Sequence, residues 1–405
     1  MSDPLPASMP GPSRRDIYAT YASGFFSLSM IPMYMLIIPL WALKLEASPT
    51  LIGIAVGARS LLPTFLSIHG GVLMDKLGIR RVMLWCALGI TVLGPLHPFI
   101  PWIGAVIVLQ LIGGLMLGFS WMGAQIQIGQ LTMGNPVHAG RFSFFSNAGI
   151  AAGPLIVGVS WDWLGPIGAF GLLGAWGACL FVAVTLMPAS GKGNRVEATP
   201  LRWRQLMPRW TDYRDAFFLL RDGAILLVIV ATFIRLSAIS VQGSFYPVYL
   251  ESISVSGTMI GALVGAAAVA GSLASLLSGP MTRLLGPPWL LAVTVATTVI
   301  FISVTPLFAD LSVLLVLAML FGASYGLSLP LIISVLSKAA GPEKQGMSVG
   351  LRTTANRVAS LVIPLVMGFL ADLFDIASSF FVVGIGLLAL TLALCFLVSR
   401  QQARP

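Results

Sequence analysis

The sequence predicts an all-α membrane protein built as two six-helix bundles, and three observations predict it. Of the 405 residues, 57% are hydrophobic and only 9% charged, with a mean hydropathy of +0.94, so a water-soluble domain would lack the polar residues to cover its surface. The apolar residues are gathered into twelve runs of the length a bilayer demands, roughly 20 residues each. The one long polar stretch, 188–222, falls in the middle with six runs on either side.

Taken in order, the chain opens with a polar, Pro-rich tail, 1–16, in which Ser13-Arg14-Arg15-Asp16 superficially resembles a twin-arginine export signal. The run that follows, 17–43, is too long for a signal core and lacks a small-residue cleavage site, so it reads as the first retained span. Runs at 51–73, 82–100, 103–128, 142–159 and 166–187 complete a first bundle, 17–187. The polar segment 188–222 reads as a linker, with an amphipathic helix over 203–217 lying on the inner leaflet. Runs at 224–250, 259–277, 289–308, 311–336, 347–370 and 376–398 make the second bundle, 223–399, before a short tail, 400–405.

Charge placement orients these spans. With the amino terminus inside, cytoplasmic segments carry 18 lysines and arginines while the external loops carry only Lys44. By the positive-inside rule this places both termini and the linker in the cytoplasm of a cell bounded by a plasma membrane, for bacteria the inner one. It also accounts for the net charge of +9 without a nucleic-acid partner. Cys86, Cys179 and Cys395 are widely separated and His69, His97 and His138 are scattered. No disulfide framework, metal-ligand spacing, nucleophilic triad or phosphate-binding glycine loop emerges, so no cofactor and no enzymatic activity is expected.

The halves echo one another. "GVLMDKLG", residues 71–78, has a degenerate counterpart in "GPMTRLLG", residues 279–286, and Pro154 with Gly158 in the fifth run is matched by Pro364 with Gly368 in the eleventh. The offsets are 208 and 210 residues, as a duplicated six-helix unit would give.

The stretch "GGVLMDKLGIRR", residues 70–81, resembles the loop signature of the major facilitator superfamily. Gly71, Leu73, Asp75, Lys76, Gly78, Arg80 and Arg81 fit it, while Ile79 stands at a commonly basic position. The resemblance implies a loop that latches the two halves on the cytoplasmic side, a gate element. The physical chemistry agrees: glycines allow tight turns and close helix approach, and an acid at the membrane surface can face the positive end of a neighbouring helix. In the fifth run, "GIAAGPLIVG", residues 149–158, resembles a pattern of antiporting facilitators through Gly149, Gly153 and Pro154, but Gly158 follows without its paired glycine. In the fourth, Gln110 precedes Gly114 where many relatives have arginine, which removes the proton-handling role proposed for that residue.

Four arginines lie inside apolar runs: Arg59, Arg235, Arg352 and Arg357. A charge at the bilayer centre costs about 2.5–3.5 kcal/mol on insertion scales, so each needs a reason. At about 1.5 Å per residue, Arg59, Arg235 and Arg357 are expected roughly 15–18 Å from a helix end, near the midplane, with Arg352 shallower. All fourteen acids map to termini, loops or helix ends, so no carboxylate is expected to neutralise these cations. An anionic substrate in a wet central cavity then becomes their natural partner, and arginine's planar fork suits carboxylate or phosphate oxygens.

Helix phase extends the site. Arg235, Gln242, Tyr246 and Tyr249 fall within about 60° on the seventh run, a polar and aromatic stripe expected to face the cavity. Arg352 and Arg357 are about 140° apart, which assigns Arg357, with Asn356, to the cavity and Arg352 to the gate as a partner for Asp75. Tyr34, Gln125, Asn147 and Tyr325 are further candidates for orienting hydrogen bonds. The expectation is a monomeric secondary transporter that moves a small organic anion by alternating access, with protons or a counter-anion as coupling partner. Proton-driven efflux of hydrophobic drugs is the alternative; it is favoured by the fifth-run pattern and opposed by the lack of a membrane-embedded carboxylate.

Overall fold

The computed structural model describes residues 13–132, 136–188, 221 and 223–402. The amphipathic helix expected over 203–217 lies outside them, as does the side chain of Asp75. Among the described residues the structure is helical, in the order the apolar runs foretell. The first four spans are Arg14–Lys44, Pro49–Leu77, Ile79–Phe99 and Ile103–Leu131. The fifth and sixth share the assignment Pro136–Thr185, broken at Gly165, where φ is 63° and the helical path is lost. The seventh is Gly223–Ser244 continued by Tyr246–Ser252, the eighth Gly257–Ser275 and the ninth Pro287–Ser303. The tenth and eleventh are the membrane-length segments Leu311–Val335 and Leu351–Leu373, and the twelfth is Ile376–Gln402.

Local sequence sets the helix starts. Ser48 and Ser256 cap the second and eighth spans by accepting from the N–H three residues on, and Asp310 and Asp375 do the same for the tenth and twelfth. Gly78 and Gly286 turn the chain into the third and ninth spans with φ of 87° and 73°, a conformation in which a Cβ is strained. These two glycines stand 208 residues apart, so the repeat read in the sequence is also a repeat of backbone geometry.

The first and seventh spans are central: 67% of the residues in their apolar windows are buried, against 33–50% for the others. The rest present large apolar side chains outward, Trp85 and Leu392 among them at more than 70% exposure, as lipid-facing helices must. Within the first half the third and sixth spans meet through Gly94, Gly174 and Gly177, whose missing side chains let the backbones touch near Thr91. The eighth and tenth meet likewise through Gly271, Gly322 and Gly326.

Two seams join the halves. The fifth span lies on the eighth, where Gly158 and Gly261 back onto the main chain of Gly257 and Pro154; the second lies on the eleventh, where Gly53 and Gly368 back onto Pro364 and Pro49. Both seams run to the end of the molecule opposite Arg14 and Gln402, here termed the far end.

Candidate functional site

Between the halves lies a cavity of about 150 Å³. The first span contributes Ile31 and Met35, the second Arg59, Ser60 and Pro63, and the fourth Gly114 and Leu117. Across the gap stand Ser240 of the seventh span and Arg357, Ser360 and Pro364 of the eleventh. Two arginines thus line one void, one from each half, and no acidic residue is among its described lining.

The second span positions Arg59 by three local devices. Pro63, four residues on, has no N–H to give the Arg59 carbonyl, which frees that oxygen. Gly114 of the fourth span packs straight onto it: a Cβ at 114 would lie 2.0 Å from the Arg59 carbonyl oxygen and 2.6 Å from its Cγ. Arg59 Nη1 donates to the Ile31 carbonyl at 3.2 Å, which leans the fork along the first span and leaves its other N–H groups uncommitted to that bond. On the eleventh span Pro364 leaves the Ser360 carbonyl unpaired in the same way. The cavity is therefore lined by two arginines and three serines, one of which, Ser240, donates its hydroxyl to the Leu236 carbonyl at 2.8 Å, a set able to bind an anionic group and polar groups of the same small molecule.

Arg235 is placed elsewhere. Its Nε donates to Ser328 Oγ at 2.6 Å and to the Tyr325 carbonyl at 3.4 Å, and its guanidinium carbon sits 3.6 Å from the centre of the Tyr325 ring. The side chain is 6% exposed and is held by the tenth span, outside the cavity lining. The stripe expected to face the cavity is turned with it: Gln242 and Tyr246 are buried, and the Tyr249 hydroxyl donates to the carbonyls of Pro306 and Phe308 at the far end. Ser240, which the seventh span does present to the cavity, lies about 140° round the helix from Arg235. Packing against Tyr325 and Ser328 sets that rotation.

The remaining candidates divide similarly. Tyr34 is buried within electrostatic reach of Arg59, while Gln125 and Asn147 are exposed. Among the described residues Asn356 Oδ1 and Arg352 Nε are buried without a hydrogen-bond partner, and Arg352 is close enough to Arg235 to repel it. In the signature loop Arg80 donates through Nε to the Val184 carbonyl at 3.3 Å and through Nη2 to the Thr185 carbonyl, so it caps the end of the sixth span. Arg81 is exposed and a Cβ at Gly71 would meet open space. Gly149 and Gly153 of the fifth span abut Phe25, Ser29 and Met33 of the first, inside the first half, while Gly158 belongs to the seam with the eighth.

One buried polar pair was not read from the sequence. His97, 1% exposed, donates from Nδ1 to the Leu93 carbonyl at 2.9 Å and stacks on Phe170 at 4.6 Å, while Gln110 Nε2 lies 3.1 Å from its Nε2. Gln110, four residues before Gly114 on the fourth span, thus hydrogen-bonds the imidazole of the third.

A sequence profile described as Major Facilitator Superfamily matches residues 20–241 and 228–405. No curated protein matches the sequence significantly. Among solved structures, a point mutant of the nucleoside transporter NupG superposes with a TM-score of 0.80 at 12% identity, covering 94% of this chain and 99% of that one. NupG itself gives a TM-score of 0.77 at 13% identity, covering 95% and 99%. At such identities the likeness concerns the fold.

Proposed function

The chain belongs to the major facilitator superfamily as a multi-pass secondary transporter, and on that premise we propose that its cargo is a small organic anion carrying a carboxylate or similar group. One observation carries the reading: Arg59 and Arg357 face a single cavity between the halves, and no carboxylate is among its described lining. In a low-dielectric setting two such cations favour a guest that brings negative charge. The serines of the lining, Ser60, Ser240 and Ser360, would orient its neutral part. The site sits between two pseudo-equivalent bundles, where rocking about a fixed centre exposes it alternately to the two sides. The distribution of 18 basic residues against one supports termini in the cytoplasm, which makes the far end external. Coupling would be by exchange of anions or by a proton accompanying the cargo.

Uptake into proteoliposomes tests the reading, with a panel of labelled mono- and dicarboxylates, an uncharged nucleoside and a cationic dye. An anion should be transported, and Arg59→Gln or Arg357→Gln should raise its KM by roughly 10- to 100-fold, the loss of one buried charge-assisted interaction. Nucleoside transport indifferent to both substitutions, or dye extrusion abolished by collapsing a proton gradient, would overturn it.

A further inference from the structure

Each seam between the halves ends at the far end on an aspartate. On the fifth span Pro154, Gly158 and Asp162 follow one another at four-residue intervals; on the eleventh so do Pro364, Gly368 and Asp372. Residues four apart share a helix face, so the glycine that permits close approach and the carboxylate beyond it meet the same partner helix. Asp162 Oδ1 accepts from the Gly257 N–H at 2.8 Å and Oδ2 from the Thr258 N–H at 2.7 Å. Asp372 Oδ2 accepts from the Thr50 N–H at 2.9 Å.

The acceptors and donors are duplicated alike. Asp162 and Asp372 are 210 residues apart, and Thr50 and Thr258 are 208, the offsets of the six-helix repeat. In both partner helices the capping serine already takes the N–H three residues on, Leu51 for Ser48 and Met259 for Ser256. The aspartate from the other half therefore takes first-turn N–H groups that the helix's own cap does not use, where the helix dipole also favours negative charge. The two contacts differ at one position. Gly257 offers an N–H to Asp162, but its counterpart is Pro49, which has none, so Asp372 holds one main-chain donor where Asp162 holds two.

We propose that Asp162 and Asp372 are the two latches that hold the far end shut, and that they are unequal, the Asp372–Thr50 latch yielding first when the halves rock apart. The inference rests on the alternating-access reading above but not on the nature of the cargo. Opening the far end must break these three main-chain hydrogen bonds, and with them the side-chain contacts of Ser256 and Thr258 to Asp162, because each crosses from one half to the other. A carrier with one weaker seam opens as a book does, hinged on the seam between the fifth and eighth spans.

The test reads gate opening directly, apart from transport. A cysteine introduced at Ser360, on the cavity wall, is labelled with a membrane-impermeant maleimide applied from the far side of oriented vesicles. Modification is followed by peptide mass spectrometry, so that Cys86, Cys179 and Cys395 are read separately. Asp162→Ala should speed labelling by about fivefold and Asp372→Ala by about twofold, as two bonds and one bond at a partly exposed surface imply. Pro49→Ala, which restores the missing N–H beside Asp372, should slow it. In the unsubstituted protein, amide exchange should be faster at Thr50 than at Thr258. Equal labelling in all variants, or faster labelling in Pro49→Ala, would overturn the latches while leaving the cargo assignment untouched; loss of the arginine effects on anion uptake would do the reverse.

Discussion

Replacing Gly261 by alanine should unseal the far end. A Cβ there would fall 2.2 Å from the Pro154 carbonyl oxygen, 2.7 Å from its carbon and 2.9 Å from the Leu155 Cα. All three are main-chain atoms, so no rotamer change relieves the clash. Cβ contacts under 3.0 Å are essentially never adopted, so the fifth and eighth spans must part by at least 0.8 Å, the difference between 3.0 and 2.2. Overpacking of this kind costs about 1–3 kcal/mol. The penalty falls on the closed far end, since the seam exists only there, and so it shifts the closed-to-open ratio by roughly 5- to 150-fold. Spin labels at Leu164 and Leu307, exposed far-end residues of the two halves, report the change as a longer inter-label distance. Gly171→Ala is the control, because a Cβ there meets nothing within 4 Å. A Gly261→Ala distance distribution that coincides with that of Gly171→Ala, in protein of unchanged thermal stability, would refute the reasoning.

Three further outcomes follow from the same geometry. Gly114→Ala places a methyl on the Arg59 main chain and should weaken anion uptake as Arg59→Gln does, without removing any charge, which a comparison of KM values in proteoliposomes would show. Gln110→Leu leaves the His97 Nε2 buried without a partner and should lower stability by about 1–3 kcal/mol, read as a lower Tm. Asp162 lies past the apolar part of its span. Burial raises the pKa of its carboxyl, but hydrogen bonds from Thr258, Gly257 and Ser256 outweigh this and hold it below its ordinary value. A depressed carboxylate stabilises the latched state above its unlatched pKa and loses that contribution as pH falls through the latched one. The distance between spin labels at Leu164 and Leu307 should therefore stay level from about pH 8 to pH 5 and lengthen only in more acidic buffer; in Asp162→Asn that lengthening should be diminished.

The spans were legible because a bilayer imposes one rule on every backbone crossing it, and the apolar runs are the direct trace of that rule. The repeat was legible at Gly71 and Gly279 and at Pro154 and Pro364 because glycine and proline have narrow backbone uses. Asp162 and Asp372 extend the same pattern four residues further along each helix, but in sequence they look like any acid at a helix end. That Arg59 and Arg357 lie deep within their apolar runs could be read by counting residues. Arg235 could be placed equally well in depth, but nothing in a single helix tells that Tyr325 and Ser328, some 90 residues on, will occupy its guanidinium. His97 and Gln110 are thirteen residues apart on different spans, and only the packing of the third on the fourth reveals them as a pair.

Arg80 carries a consequence for how the signature loop is tested. Its guanidinium is committed to the carbonyls of Val184 and Thr185, so it staples the third span to the sixth inside one bundle. Substituting it should show up first as poor insertion and low yield of the whole protein. Loss of activity in such a variant would then report a bundle that never matured, and says little about traffic between the two sides.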